Sequence, residues 1–182
     1  EEYDFIVVGS GSAGSVVANR LSAIPDVTVL LIEAGSAPDA LTEVPFLAPL
    51  QVGGRFDWKY ETIPQKNSCL GLKGQRSRWT RGKVLGGTSV LNGLVYVRGN
   101  KEDYDGWVKN YGATGWSYDE VLPYFKEIET FTVPEYLHNG YHGARGEVTV
   151  GYAPYQTKAS EAFLDGMEEL GSKQTDYNGP SQ

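Results

Sequence analysis

Three glycines and one acid near the N-terminus are the residues of this sequence best suited to holding a ligand. Gly9-Ser10-Gly11-Ser12-Ala13-Gly14 has the G-x-G-x-x-G spacing. In that spacing the first glycine permits a tight turn, the second lets the backbone approach a pyrophosphate, and the third lets a helix pack close to a strand. Phosphate then meets the first turn of that helix, where the N–H groups lack intrahelical partners and the dipole end is positive. Glu33, next to Ala34, stands where a carboxylate can accept both hydroxyls of a ribose and repel the 2′-phosphate of NADP. Glycine-rich turns are common, so the spacing alone decides little.

A second cluster lies further along the chain. Arg81-Gly82-Lys83-Val84-Leu85-Gly86-Gly87-Thr88-Ser89-Val90-Leu91-Asn92 brings glycines, hydroxyls and two cations close together. Gly86-Gly87 followed by Thr88-Ser89 can offer successive backbone N–H groups and then hydroxyl donors, an anion-binding arrangement. The plainer reading is an ordinary loop, with Arg81 and Lys83 as solvated surface charges.

These residues need elements to place them. Tyr3-Asp4-Phe5-Ile6-Val7-Val8 and Val27-Thr28-Val29-Leu30-Leu31-Ile32 read as strands buried on both faces of a parallel sheet. Between them Ser15-Val16-Val17-Ala18-Asn19-Arg20-Leu21 has helical spacing and Pro25-Asp26 stops it. Strand, glycines, helix, strand and terminal acid therefore follow in order within one βαβ length, which points to a dinucleotide. Both FAD and NAD fit this description.

Downstream, Ser117-x-x-Glu120 is a capping box flanked by Trp116 and Val121 at the staple positions, so a helix starts at Ser117 and is expected to bend or restart at Pro123. Gly146 to Gly151 alternates as a strand should. Ala159, Phe163, Met167 and Leu170 mark an amphipathic helix from Thr157, closed by Gly171. His138 and His142 would suit a metal pair on one helix face, but Asn139-Gly140 and Gly143 break the helix and no cysteine completes a site, so both read as loop residues and no metal is expected. The tryptophans and tyrosines read as packing rather than as a substrate cage, and Cys69, the single cysteine, as a small apolar residue.

The second cluster resembles the first signature of the glucose-methanol-choline (GMC) oxidoreductases. Gly82-Lys83-x-Leu85-Gly86-Gly87-Thr88-Ser89-x-Leu91-Asn92 is followed by Tyr96, Gly99 and Asp105 at the expected intervals, without departure. Asp57-Trp58-x-Tyr60, Pro64-Gln65, Gly115-Trp116-Ser117-Tyr118 and Leu122-Pro123-Tyr124-Phe125 are similar to the arthropod glucose-dehydrogenase-like branch, so the resemblance covers nearly the whole chain.

The resemblance implies an α/β fold, a Rossmann-like FAD-binding domain over residues 1–136 with the beginning of an α+β substrate-binding domain over 137–182. It implies FAD rather than NAD, held by Gly9 to Gly14, Glu33, Ala34, Arg81, Gly82, Val84 and Gly86 to Ser89, with Asn92, Gly93, Leu94 and Val95 near the flavin ring. It implies oxidation of a small-molecule alcohol with O₂ or a quinone as acceptor, and a secreted protein. The family's base, a histidine with a histidine or asparagine partner, lies near the C-terminus of its members. Neither His138 nor His142 matches it in position or motif, so no catalytic residue is assigned here. The chain is therefore expected to be a fragment, completed by a second polypeptide that carries the histidines. A non-catalytic GMC-like binding module and an NAD-linked dehydrogenase are the alternatives.

Bulk properties agree with a small-molecule partner. The chain has 182 residues, 40% of them hydrophobic and 21% charged, a composition typical of folded globular chains. A net charge of −7 gives no basic footprint for nucleic acid or an anionic membrane, and no apolar run reaches membrane-spanning length.

Overall fold

The computed structural model describes residues 2–181, which pack as two compact units divided between Val95 and Tyr96.

In the first unit, β1 (Phe5–Val8) and β2 (Val29–Ile32) pair in parallel, from Phe5 opposite Val29 to Val8 opposite Ile32. Helix α1 (Ser12–Ser22) crosses between them and packs on both strands and on a 3-10 turn at Gly87–Val90. The helix stops as expected: Pro25 cannot continue it and Asp26 turns the chain with φ of +64°. Both strands were expected to be buried on both faces, and they are not. Ile6 is 60% and Val8 80% exposed, because two strands and one crossover helix cover only one face of the ribbon.

The unit's core sits elsewhere. After α2 (Ala48–Gln51) and the antiparallel pair β3 (Tyr60–Glu61) and β4 (Arg78–Trp79), Phe56, Val84 and Leu91 form a buried cluster closed by Val90. The apolar residues of the second glycine segment are thus its anchor. At about 25 cal/mol per Å² of apolar surface removed from water, this burial holds the segment firmly in place.

The second unit begins with α3 (Lys101–Tyr111) and α4 (Tyr118–Ile128). Asn100 caps α3 by accepting from the Glu102 N–H, and Gly112 ends it in the left-handed region at φ of +67°. At the start of α4 the Ser117 N–H donates to Glu120 at 3.0 Å, one half of a capping box. Trp116 packs edge-on against Trp107, with ring centroids 5.9 Å apart. The restart expected at Pro123 does not occur, since α4 is continuous from Tyr118 to Ile128. Proline's fixed φ suits a helix and costs one hydrogen bond. The buried side chains of Tyr118 and Val121, with Phe125 edge-on to Tyr104 of α3, hold the helix across the gap.

Strands β5 (Glu129–Phe131) and β6 (Val148–Val150) then pair in parallel. Phe131, Val133 and Val150 form the second core, against Tyr96, Tyr136 and Leu137. Helix α5 (Lys158–Glu169) starts at the Thr157 cap, and Gly171 follows its end with φ of +90°. Among the described residues no helix is long and apolar enough to cross a membrane.

A candidate dinucleotide-binding junction

The two glycine segments, distant in sequence, meet in the first unit. Gly9 turns the chain after β1 with φ of +94°. A Cβ on Gly14 would fall onto the Gly9 carbonyl oxygen, so only glycine lets α1 start this close to the turn. Gly11 precedes α1 in extended conformation, and no side chain caps the helix. The first-turn N–H groups at Ser12, Ala13 and Gly14 therefore have no side-chain acceptor, which is the condition for receiving an anion.

Gly87 closes on this turn from the other side. A Cβ on Gly87 would lie 2.7 Å from the Gly11 Cα, and Gly87 holds φ of +60°. The Gly86 N–H donates to the Ser10 carbonyl at 3.1 Å and to the Ser10 hydroxyl at 3.2 Å. Within the second segment, the Gly82 N–H donates to the Thr88 hydroxyl at 3.1 Å and the Ser89 hydroxyl to the Gly86 carbonyl at 2.7 Å. Val84, fully buried, bridges Ser36 just beyond β2. Hence the second segment is stitched alongside the βαβ unit at two points.

Ser10 is the node. It is 1% exposed, and both its N–H and its hydroxyl donate to Glu33 Oε2 at 2.8 Å, while the Gly35 N–H donates to Oε1 at 2.8 Å. Three donors on one carboxylate leave lone-pair capacity chiefly at Oε1 for anything further. The Ser10 N–H is the main reason that the Glu33 pKa lies below its ordinary value; partial burial opposes it, and the Ser10 hydroxyl and the Gly35 and Ala34 N–H groups add to it. The acid at the end of β2 is ionised and oriented before any ligand arrives.

Asp57 performs the same service for the start of the second segment. Burial alone would raise its pKa, but donation from the Arg81, Lys59 and Gly53 N–H groups, at 3.0, 2.9 and 2.8 Å, holds it below the ordinary value. The resemblance quoted Asp57 without a role, and a lone Asp-Trp pair gave no other signal. Lys83 is not simply solvated, since its ammonium lies 4.4 Å from the Trp58 ring centre.

The predicted residues thus fall into three groups. Gly9, Ser10, Gly11, Gly14, Glu33, Gly82, Val84, Gly86, Gly87 and Thr88 are brought together. Ser12, Ala13, Ala34, Arg81 and Ser89 lie exposed around them. Asn92 to Val95 form an exposed run beyond the 3-10 turn, where the Asn92 side chain accepts from the Leu94 N–H at 3.0 Å and Leu94 takes φ of +59°. A cavity of about 320 Å³ lined by Asp57, Tyr60, Trp79 and neighbours opens instead beside the β3–β4 hairpin. The junction is the better candidate, because the backbone donors converge there.

The second unit holds a cluster that sequence reasoning missed. His142 lies in a loop, as expected, yet it is buried. Its Nδ1 is 3.1 Å from Glu129 and its Nε2 is 2.7 Å from Asp176. Arg98 Nη2 donates to the same Glu129 oxygen at 2.8 Å. Burial would raise the Asp176 pKa, but His142, Asn139 and the Asn178 N–H together hold it below the ordinary value.

The chain is similar to known proteins over nearly its whole length. The chain is 48% identical over 178 residues to glucose dehydrogenase [FAD, quinone] of Drosophila pseudoobscura pseudoobscura, covering 98% of this chain and 28% of that protein. It is 44% identical over 188 residues to oxygen-dependent choline dehydrogenase of Burkholderia lata, covering 100% of this chain and 32% of the relative. The chain thus spans about 30% of the length of these curated relatives. The crystal structure of pyridoxine 4-oxidase from Mesorbium loti superposes with a TM-score of 0.83 at 36% identity, over 93% of this chain and 32% of that one. The GMC oxidoreductase family model matches residues 3–182, so the chain belongs to the GMC oxidoreductases and has the α/β fold of their N-terminal part.

Proposed function

We propose that this chain is the FAD-holding part of an enzyme that oxidises an alcohol, CH–OH to C=O. The observation that carries the reading is the junction, where Gly87 approaches Gly11 beside the uncapped first turn of α1. The residues fit the cofactor: neutral glycine backbone for a pyrophosphate, and an ionised Glu33 for the ADP ribose. Bound FAD supplies the hydride acceptor.

The chain's own contribution is binding and orientation. The first-turn N–H groups of α1 receive the pyrophosphate, and Arg81, Gly82, Val84 and Gly86 to Ser89 line its course. Asn92, Gly93, Leu94 and Val95 run beside the flavin ring. Residues 1–136 belong to the FAD-binding domain and 137–182 open the substrate-binding domain. The proton-accepting histidine lies outside these 182 residues, on a further segment or a second polypeptide. Secretion of the protein belongs to the same reading. One relative is named for a quinone and another for oxygen, so either acceptor suits the family names.

The test is the visible spectrum of the purified full-length protein under alcohol. A flavin spectrum that bleaches with an alcohol and recovers with O₂ or a quinone is expected. A colourless protein that reduces NAD with the same alcohols would overturn the reading, and a flavin spectrum that no alcohol bleaches would reduce it to a binding module.

A further inference from the structure

Asp57 joins three stretches of backbone within the first unit, and it is only 6% exposed. Its Oδ1 accepts from the Arg81 N–H at 3.0 Å and the Lys59 N–H at 2.9 Å, and its Oδ2 accepts from the Gly53 N–H at 2.8 Å. The Thr80 side chain also hydrogen-bonds to this carboxylate. An amide in its place would turn one acceptor oxygen into a donor facing an N–H. Lys59 meanwhile takes φ of +56°, a backbone conformation that side chains seldom adopt and that persists where its surroundings over-determine it. The carboxylate therefore ties a strained loop to the start of the second glycine segment.

From there each step to the first glycine turn is a main-chain contact. The Lys83 N–H donates to the Phe56 carbonyl at 2.6 Å and the Trp58 N–H to the Arg81 carbonyl at 2.8 Å, so Asp57 and Gly82 pair as an antiparallel bridge. Gly82 is pressed in turn on Gly87, since a Cβ on Gly82 would lie 2.2 Å from the Gly87 carbonyl carbon. A Cβ on Gly87 would lie 2.7 Å from the Gly11 Cα. Residues 57, 82, 87 and 11 thus stand in series. None of the three glycines has a side chain whose rotation could absorb a shift, so packing this close passes a displacement along the main chain.

We propose that Asp57 is a positioning residue for the FAD pyrophosphate: its carboxylate sets the backbone at Arg81–Gly82 and, through Gly82 and Gly87, the spacing beside the first turn of α1. It rests on the placement of the pyrophosphate in the proposed function. A carboxylate that only stabilised the hairpin entrance would leave the phosphates' surroundings untouched.

The experiment uses the full FAD-loaded protein and its Asp57→Asn and Thr80→Val variants. It reads the phosphorus NMR resonances of the bound FAD, the rate at which FAD is released on dilution, and the unfolding temperature. Asp57→Asn is expected to release FAD about tenfold faster and to shift the pyrophosphate resonances. Thr80→Val, which removes one hydroxyl from the carboxylate and keeps its charge, is expected to do both more weakly, and it carries the test if Asp57→Asn does not fold. A lowered unfolding temperature with unchanged phosphorus resonances would overturn the proposal, as would an unchanged release rate. A wild-type protein that takes up no FAD contradicts the proposed function instead, before either variant is compared.

Discussion

The glycine junction of the first unit and the charged row of the second solve opposite problems with opposite chemistry. The junction brings main chains together by omitting side chains: Gly87 abuts Gly11, and a Cβ on Gly87 would come within 2.7 Å of the Gly11 Cα. Its donors at the start of α1 are left unspent. The row brings segments together by burying four ionisable groups, and among the described buried side-chain atoms only Arg98 Nε lacks a hydrogen-bond partner. An arrangement with unspent donors can bind, whereas a saturated one can only hold. On the proposed function, recognition belongs to the first region and rigidity to the second.

The contrast breaks most easily at Glu129. Glu129→Gln leaves the Arg98 guanidinium buried without its counter-charge, and a loss of about 3–5 kcal/mol is expected in urea unfolding. A loss below 1 kcal/mol would show that the row is not held by charge. Next comes Gly14→Ala, whose added methyl meets a backbone oxygen that cannot swing aside. Overpacking of this kind costs about 1–3 kcal/mol, and thermal unfolding should show it together with loss of FAD retention. Ser10→Ala is milder: it removes one hydroxyl from Glu33 and Gly86 while keeping the N–H, at about 1 kcal/mol. A several-fold weaker FAD affinity, measured by fluorescence titration, is the expected result.

The smallest effect is on acid stability. The Glu33 pKa is lowered in the folded chain, chiefly by the Ser10 N–H, so the unfolded state takes up the proton first as pH falls. The stabilisation is fully present above the ordinary glutamate pKa and is lost as pH falls through the lowered native value. Acid titration of the Ser10→Ala variant should therefore show a shallower fall over that window than wild type. An identical slope would mean that the Ser10 hydroxyl does not help to set the Glu33 charge.

Legibility followed the same divide. The βαβ unit could be read because its signals are local: alternation of apolar runs, glycine spacing, and a terminal acid within one short stretch. The Ser117 cap and the Thr157 helix were legible for the same reason. That the second segment belongs beside the first came from its resemblance to a family, since Ser10 and Gly86 are 76 residues apart and no period links them. The exposure of Ile6 and Val8 was misread, because an apolar strand states what it can bury and not what covers it. His142 offered no signal at all. Its partners lie 13 and 34 residues away, and a lone histidine among glycines looks like any loop residue until the fold closes around it.

The central claim is that the two glycine segments form one FAD cradle, and titration of the FAD-free full chain tests it most directly. Wild type should regain a flavin spectrum that NAD does not displace. Gly87→Ala, which wedges a methyl between the segments, should bind FAD at least about tenfold more weakly, the equivalent of ~1.4 kcal/mol. Equal affinity in the variant would contradict the claim.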